Sequence, residues 1–177
     1  MLVRRATLAD VAAVARLTVT ANREAQRDLP ALHDEEELSS PELALRLLDD
    51  LDDGNLLYVA EREARIVGFA QVTGLMVGDG GHLIELRRLY VAPEHRREGL
   101  GRQLLCCVLR DLRQRGNGPD LRAWAGTGSP AARFLQAAGG TVVRQRWKVS
   151  AGGMAARGTI FGWSARTAAR VPDHALA

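Results

Sequence analysis

Apolar and polar positions alternate or recur along this chain with two periods, and the switches between them lay out the elements. Met1 to Arg5 reads as a short first strand. Thr7 follows as an N-cap with Asp10 three residues on, a weak capping box. Leu8, Val11, Ala12, Val14, Ala15 and Leu17 then recur at helical spacing, which predicts a helix to about Gln26. The stretch from Leu29 to Ser39 holds Pro30 and the acidic run Asp34 to Glu37 and reads as a loop. Ser40-Pro41-Glu42 supplies a cap, a first-turn proline and an acid at the positive end of the dipole, so a second helix starts there and ends near Asp53-Gly54.

Period-two segments come next. Leu56 to Glu61, Arg65 to Val77 and His82 to Val91 are three strands, with a polar turn at residues 62–64 and a glycine-rich one at Gly78-Asp79-Gly80-Gly81. Pro93 stops the third. From Gly99 a long amphipathic helix runs to Gly116-Asn117-Gly118-Pro119. Leu121 to Ala125 is a short strand, a helix follows Pro130 to about Ala138, and Thr141 to Val149 and Thr159 to Ala165 are the last strands. Residues from about 167 read as a loosely attached tail of one domain spanning 1–177. The order β-α-α-β-β-β-α-β-α-β-β, with three strands joined by short turns and one strand–helix–strand unit, predicts a mixed α/β sheet, mostly antiparallel, with one parallel pair. It does not predict a doubly wound nucleotide fold.

Composition adds little until charge is placed along the chain. With 46% hydrophobic and 25% charged residues over 177, the chain resembles an ordinary globular domain. A chain of this size buries roughly 70% of its unfolded surface and needs no metal or disulfide staple. No apolar run reaches about 18 residues, and Met1-Leu2-Val3-Arg4-Arg5 lacks the order of a signal peptide. The two cysteines, Cys106 and Cys107, are adjacent and read as reduced, buried helix residues of a cytoplasmic protein. The net charge of +3 conceals an asymmetry: residues 1–60 hold 6 arginines against 12 acids, and the remainder holds 18 basic residues against 9 acids. A basic C-terminal part favours an anionic partner, nucleic acid or a phosphate-bearing cofactor. Interleaved aromatics on a basic groove and a recognition-helix pattern are both missing, which argues against nucleic acid.

The segment from Leu89 to Arg102 carries the chemistry. A strand ends, the chain turns through a basic loop with Gly99 and Gly101, and a long helix opens. The first amides of a helix have no internal partner and sit at its positive end. Gly99 and Gly101 let those amides approach a ligand closely, and Arg96, Arg97 and Arg102 add charge. The result is a pyrophosphate cradle. It is not a P-loop, since the only lysine is Lys148, nor a dinucleotide fingerprint.

Arg96-x-x-Gly99-x-Gly101 resembles the Arg/Gln-x-x-Gly-x-Gly/Ala signature of the Gcn5-related N-acetyltransferase (GNAT) family. Leu89-x-Val91-x-Pro93 resembles that family's strand-to-loop approach, and the element order matches over nearly the whole chain. The resemblance implies a seven-stranded acyl-CoA N-acyltransferase fold and acetyl-CoA as co-substrate. It implies that Leu89, Tyr90 and Val91 line the pantetheine arm, and that amides over Arg96, Arg97, Glu98, Gly99, Leu100, Gly101 and Arg102 hold the pyrophosphate. The Leu89 N–H would polarise the thioester carbonyl. Ser129 and Phe134, at the head and on the face of the last helix, would lie beside the cofactor. A homodimer is common in the family.

For the protons, Glu85 is the candidate base, four residues before Leu89 where several similar enzymes carry a glutamate. An amine acceptor with a pKa near about 10.4 has to lose a proton before it attacks. Alternation puts Glu85, Arg87 and Leu89 on one face in an unbulged strand, and puts Tyr90, a substitute general acid, on the other; a bulge changes this parity. The alternative for Glu85 is an ion pair with Arg87 or Arg65. Leu135 stands where the family often has its tyrosine acid, so a non-catalytic acyl-CoA sensor is the rival reading. His95 reads as exposed, His82 as a surface residue at a strand start, and His33 in the acidic loop gives no metal site. Trp124 reads as core, with a ligand contact as the alternative; Trp147 and Trp163 read as core, the alternative being the lining of the acceptor site or a dimer seam. The acidic run Asp34 to Glu37 with Asp49-Asp50 and Asp52-Asp53 suggests a cationic amine acceptor; the alternative is a solvated face.

Overall fold

The computed structural model describes residues 1–28, 39–76, 82–114, 120–151 and 154–164. The acidic run Asp34 to Glu37, His33, the turn at 78–81, the turn at 116–119 and the tail from 167 lie outside them. Strands β1 (Leu2–Arg5), β2 (Leu56–Arg62), β3 (Arg65–Met76), β4 (His82–Val91), β5 (Leu121–Gly126), β6 (Thr141–Ala151) and β7 (Met154–Trp163) form one sheet, ordered β1-β2-β3-β4-β5-β7-β6. All pairs are antiparallel except β4 with β5. Helices α1 (Val11–Asp28), α2 (Ser40–Asp52), α3 (Leu100–Gln114) and α4 (Pro130–Ala137) complete it. The mixed α/β sheet with one parallel pair is the expected one.

Several boundaries moved, two of them at α2 and the last strand. The cap of α2 is Ser39, whose N–H and Oγ both reach Glu42 Oε2 at 2.7 and 2.6 Å, so Ser40 lies inside the helix. The last strand starts at Met154 rather than Thr159. Pairing along β6 supplies the backbone partners there, which outweighs the weak β-propensity of Met154-Ala155-Ala156. Ahead of α1, a short 3₁₀ turn over Leu8–Asp10 carries the expected Thr7–Asp10 box, with Thr7 N–H donating to Asp10 Oδ2 at 2.8 Å.

The sheet separates two cores. On one face α3 contributes Leu100, Leu104, Leu105, Val108, Leu109 and Leu112, which pack with Tyr58, Ala70, Val72, Leu86, Leu121, Ala123, Leu135, Phe161 and Trp163. On the other, Val11, Val14 and Ala15 of α1 and Leu43 and Leu47 of α2 pack on Leu57, Val59, Phe69 and Tyr90. Burying one such aliphatic side chain stabilises by about 1.5–3 kcal/mol, so each layer is held mainly by its apolar face. Tyr58 also clamps α3 to the sheet: its hydroxyl donates to Asp111 Oδ2 at 2.7 Å, and burial pushes its pKa up to about 12.

The expectations for single residues divide. Trp163 is core, 4% exposed, and its Nε1 donates to the Ala138 carbonyl at 3.1 Å. Trp124 is half-buried and belongs to neither core cluster; it sits on the face of β5 opposite Leu121, Ala123 and Ala125. The side chains of Trp147 and His82 are outside the described ones. Cys106 and Cys107 form no disulfide among the described residues and are half-buried rather than fully buried, and burial pushes the Cys107 thiol up. His95 is half-buried, with Nδ1 shielded and unpartnered.

Candidate active site

The parallel ladder between β4 and β5 is confined to Ile84–Leu121 and Glu85–Arg122. Beyond it, β4 from Leu86 to Val91 pairs only with β3, and β5 from Ala123 to Gly126 only with β7. Each strand therefore presents one edge of backbone groups with no strand partner. Backbone N–H and C=O groups require partners, so an opening between two central strands is a place for an extended ligand.

The opening leads to the start of α3. Pro93–His95 form a 3₁₀ turn, then Arg97 and Gly99 both take left-handed backbone conformations, with φ of 68° and 83°. Arg97 does so although it carries a Cβ, an uncommon conformation that adds local strain. Alternation of handedness turns successive N–H groups toward one concavity, an anion-binding nest. Gln103 N–H donates to the Gly99 carbonyl at 3.0 Å, closing the first turn of α3 and leaving the amides before it free of helical partners. Leu100 is fully buried, so only its backbone is available. Gly101 is closely packed by its neighbour: a Cβ there would stand 3.3 Å from the Phe134 ring edge, a tight contact. Phe134, Val91 and the first turn of α3 thus meet at one point.

The three arginines of the cradle divide their tasks. Arg96 donates from Nε to the Val91 carbonyl at 2.8 Å, pairs through Nη2 with Glu24 of α1, and lies 5.4 Å over the Tyr90 ring. Arg102 donates to the Ala137 carbonyl at 3.1 Å, at the end of α4. Arg97 is exposed and makes no hydrogen bond or ion pair among the described residues. Glu98 pairs with Arg62 at 2.6 Å. Ser129 is the cap of α4, its Oγ accepting from Ala132 N–H at 3.1 Å.

Strand β4 contains the bulge on which the parity of Glu85 depends. Gln71 pairs with Arg88 and Val72 with Leu86, so Arg87 is an extra residue. Leu86, Leu89 and Val91 face the α3 core, while Glu85 shares the α1/α2 face with Arg88 and Tyr90. The unbulged arrangement, Glu85 with Leu89 and opposite Tyr90, does not hold. Glu85 is half-buried and makes no hydrogen bond or ion pair among the described residues, so neither Arg87 nor Arg65 takes it. The Tyr90 hydroxyl donates to Glu24 Oε1 at 3.1 Å; burial first, then the Glu24 carboxylate, pushes its pKa up to about 12. Leu135, in the position of the family's tyrosine, is buried in the α3-side core.

Near Glu85 the structure places Arg122, which the sequence reading did not single out, and Trp124, which it read as core. Arg122 is the partner of Glu85 across the ladder and Trp124 stands two residues further on. Outward alternation on β5 and the glycines of β7 are their only sequence signals. Glu24 had none, because its role depends on how α1 crosses β4. On the acidic side, Asp50 accepts from Gln71 at 2.6 Å and Asn55 at 3.4 Å, whereas Asp49, Asp52 and Asp53 are exposed. Among the described residues no group of three or more His, Cys, Asp or Glu is placed to hold a metal ion, and no helix is long and apolar enough to cross a membrane.

Comparison with known proteins agrees with this geometry. A curated mycothiol acetyltransferase of Cellulomonas flavigena is 34% identical over 112 residues, 56% of this chain; the chain spans about a third (32%) of that relative's length. Among solved structures, a ribosomal-protein-alanine N-acetyltransferase from Brucella melitensis superposes with a TM-score of 0.77 at 26% identity, covering 93% of this chain and 99% of the other. A putative acetyltransferase from Salmonella typhimurium, solved with its cofactor acetyl-CoA, superposes with a TM-score of 0.76 at 22% identity over 93% and 94% of the two chains. At that identity the likeness is one of fold. The acetyltransferase (GNAT) family model matches residues 19–139, which include the opening between β4 and β5, the nest and α4, and the chain belongs to that family.

Proposed function

We propose that this acetyltransferase moves the acetyl group of acetyl-CoA directly to a primary amine in the opening between β4 and β5. The observation that carries the reading is the continuity of the unpaired β4 edge with the left-handed nest at Arg97 and Gly99. A pantetheine arm suits the first and a pyrophosphate the second. The residues fit the cofactor: Gly101 and Phe134 already meet in close contact, and the amides opening α3 have no helical partners. Acetyl-CoA supplies the activated thioester.

The chain's own groups then divide the work. Backbone N–H groups of Leu89 and Val91 and of residues 97–102 hold the donor, and the Leu89 N–H polarises the thioester carbonyl. Arg97 supplies the unpaired positive charge beside the pyrophosphate. Ser129 and Phe134 border the cofactor from α4. Glu85 takes the proton of the acceptor ammonium, directly or through water. As the N–C bond forms, the C–S bond breaks, and the thiolate, with a pKa near about 8.5, leaves with a proton from water. Tyr90 is not the acid, because its hydroxyl is held by Glu24.

Thiol release from acetyl-CoA with a panel of amines tests the proposal, with coenzyme A affinity measured alongside. Turnover is the expected result. The specific observation for the rival sensor reading is the buried Leu135, which has no proton to give. Tight coenzyme A binding with no thiol release for any amine would establish that rival.

A further inference from the structure

The nest that opens α3 contains a carboxylate. Glu98 stands between Arg97 and Gly99, the two left-handed residues. A fixed negative charge one residue from an anion cradle repels the ligand that the cradle is shaped for. One guanidinium meets it: Arg62 Nη1 donates to Glu98 Oε2 at 2.6 Å. Neither side chain has another hydrogen bond or ion pair among the described residues.

Arg62 comes from 36 residues earlier in the chain, and the backbone fixes where it stands. It ends β2 and is the register partner of Arg65. Glu63 and Ala64 join the two with φ of 50° and 59°. Two consecutive left-handed residues make the tight hairpin turn that ordinarily takes Asn-Gly, and here both carry a Cβ. The start of β3 runs beside the chain leaving β4: Gly68 faces Val91, and Ala92 N–H donates to the Val67 carbonyl at 2.9 Å. The tip of the hairpin therefore lies next to the nest. Two segments in uncommon backbone conformations, at 63–64 and at 97, are joined by this one ion pair.

The pair does little for folding, because its side chains are 41% and 40% exposed. Its placement gives it a different use. We infer that Arg62 is a positioning residue for acetyl-CoA that acts through Glu98. It draws the Glu98 carboxylate to the hairpin and cancels its charge, so the amides of the nest and Arg97 meet the pyrophosphate without an opposing anion. Arg62 itself touches no reacting atom. This role rests on the acetyl-CoA reading of the same loop.

The test compares two acetyl donors, acetyl-CoA and S-acetylpantetheine, which has the same thioester arm and no phosphate. Thiol release is measured with one amine, and coenzyme A affinity by calorimetric titration at two salt concentrations. Arg62→Ala is expected to weaken coenzyme A binding about fivefold at low salt and less at high salt. The loss in kcat/KM is expected with acetyl-CoA and not with S-acetylpantetheine. Glu98→Gln, which leaves Arg62 uncompensated, is expected to tighten coenzyme A binding about twofold, and adding it to Arg62→Ala is expected to reverse the loss. A contact that only held the loop in shape would impair both donors, and Glu98→Gln would weaken binding as Arg62→Ala does. Either of those results, or unchanged coenzyme A affinity in Arg62→Ala, would overturn the inference and leave the acetyl-CoA reading standing. Should no amine be acetylated, the affinity measurements decide alone. Failure of the parent protein to bind coenzyme A would sink both.

Discussion

Arg96, the basic residue of the family signature, is ion-paired with Glu24 of α1 rather than directed at the nest that follows it. Its Nε holds the Val91 carbonyl, and its guanidinium covers Tyr90, whose hydroxyl also reaches Glu24. One carboxylate thus joins α1 to β4 and to the loop that opens α3. Within this arrangement Arg96 is a strut, whereas Arg97 makes no ion pair among the described residues.

Glu24→Ala and Arg96→Ala are each expected to weaken coenzyme A binding about tenfold, roughly 1.4 kcal/mol, with the double variant no worse than either single one. Arg97→Ala is expected to weaken it to a similar degree but to flatten its dependence on ionic strength, because it removes an exposed charge rather than a brace. Calorimetric titration at two salt concentrations distinguishes the two cases.

Glu85→Gln preserves the shape of the side chain and removes the base. A fall in kcat of about 100-fold or more with unchanged coenzyme A affinity is the expected result. Single-turnover thiol release measures it. Full activity in this variant would remove Glu85 from the mechanism.

Asp10 carries a pH-dependent part of the stability. Hydrogen bonds from Arg4, at 2.7 and 3.0 Å, together with Thr7, hold its pKa at about 2, below the ordinary value of 3.8, against the opposing effect of burial. A depressed carboxylate stabilises fully above its unfolded pKa and loses that contribution as pH falls through the folded value. Asp10→Asn is therefore expected to cost about 2 kcal/mol at neutral pH, a cost that fades from about pH 4 down to pH 2. Denaturant unfolding across that window checks the sign.

Gly158→Ala should displace the Trp124 indole, since the new Cβ would stand 1.9 and 2.0 Å from Nε1 and Cε2. A loss of about 1–3 kcal/mol is expected from overpacking. Gly101→Ala meets the Phe134 ring at 3.3 Å and should cost less stability while impairing coenzyme A binding. Thermal unfolding and tryptophan emission report the first, coenzyme A titration the second.

Much of this protein was legible in one dimension. Strands, helices and the single parallel pair follow from local periodicity and turn chemistry, because each element's apolar spacing depends on its own residues. The nest could also be located, since Gly99 and Gly101 stand beside a helix start and their backbone freedom is intrinsic. What the side chains do there was decided in three dimensions. The bulge at Arg87 reverses the face of Glu85, and a one-residue offset of this kind has no compositional mark. Arg96 turns to Glu24 only because α1 crosses β4 at Tyr90, and the Trp124 indole finds room to lie on β7 only because Gly158 stands diagonally across from it. These are contacts between residues far apart in the chain, and they depend on sheet order and register.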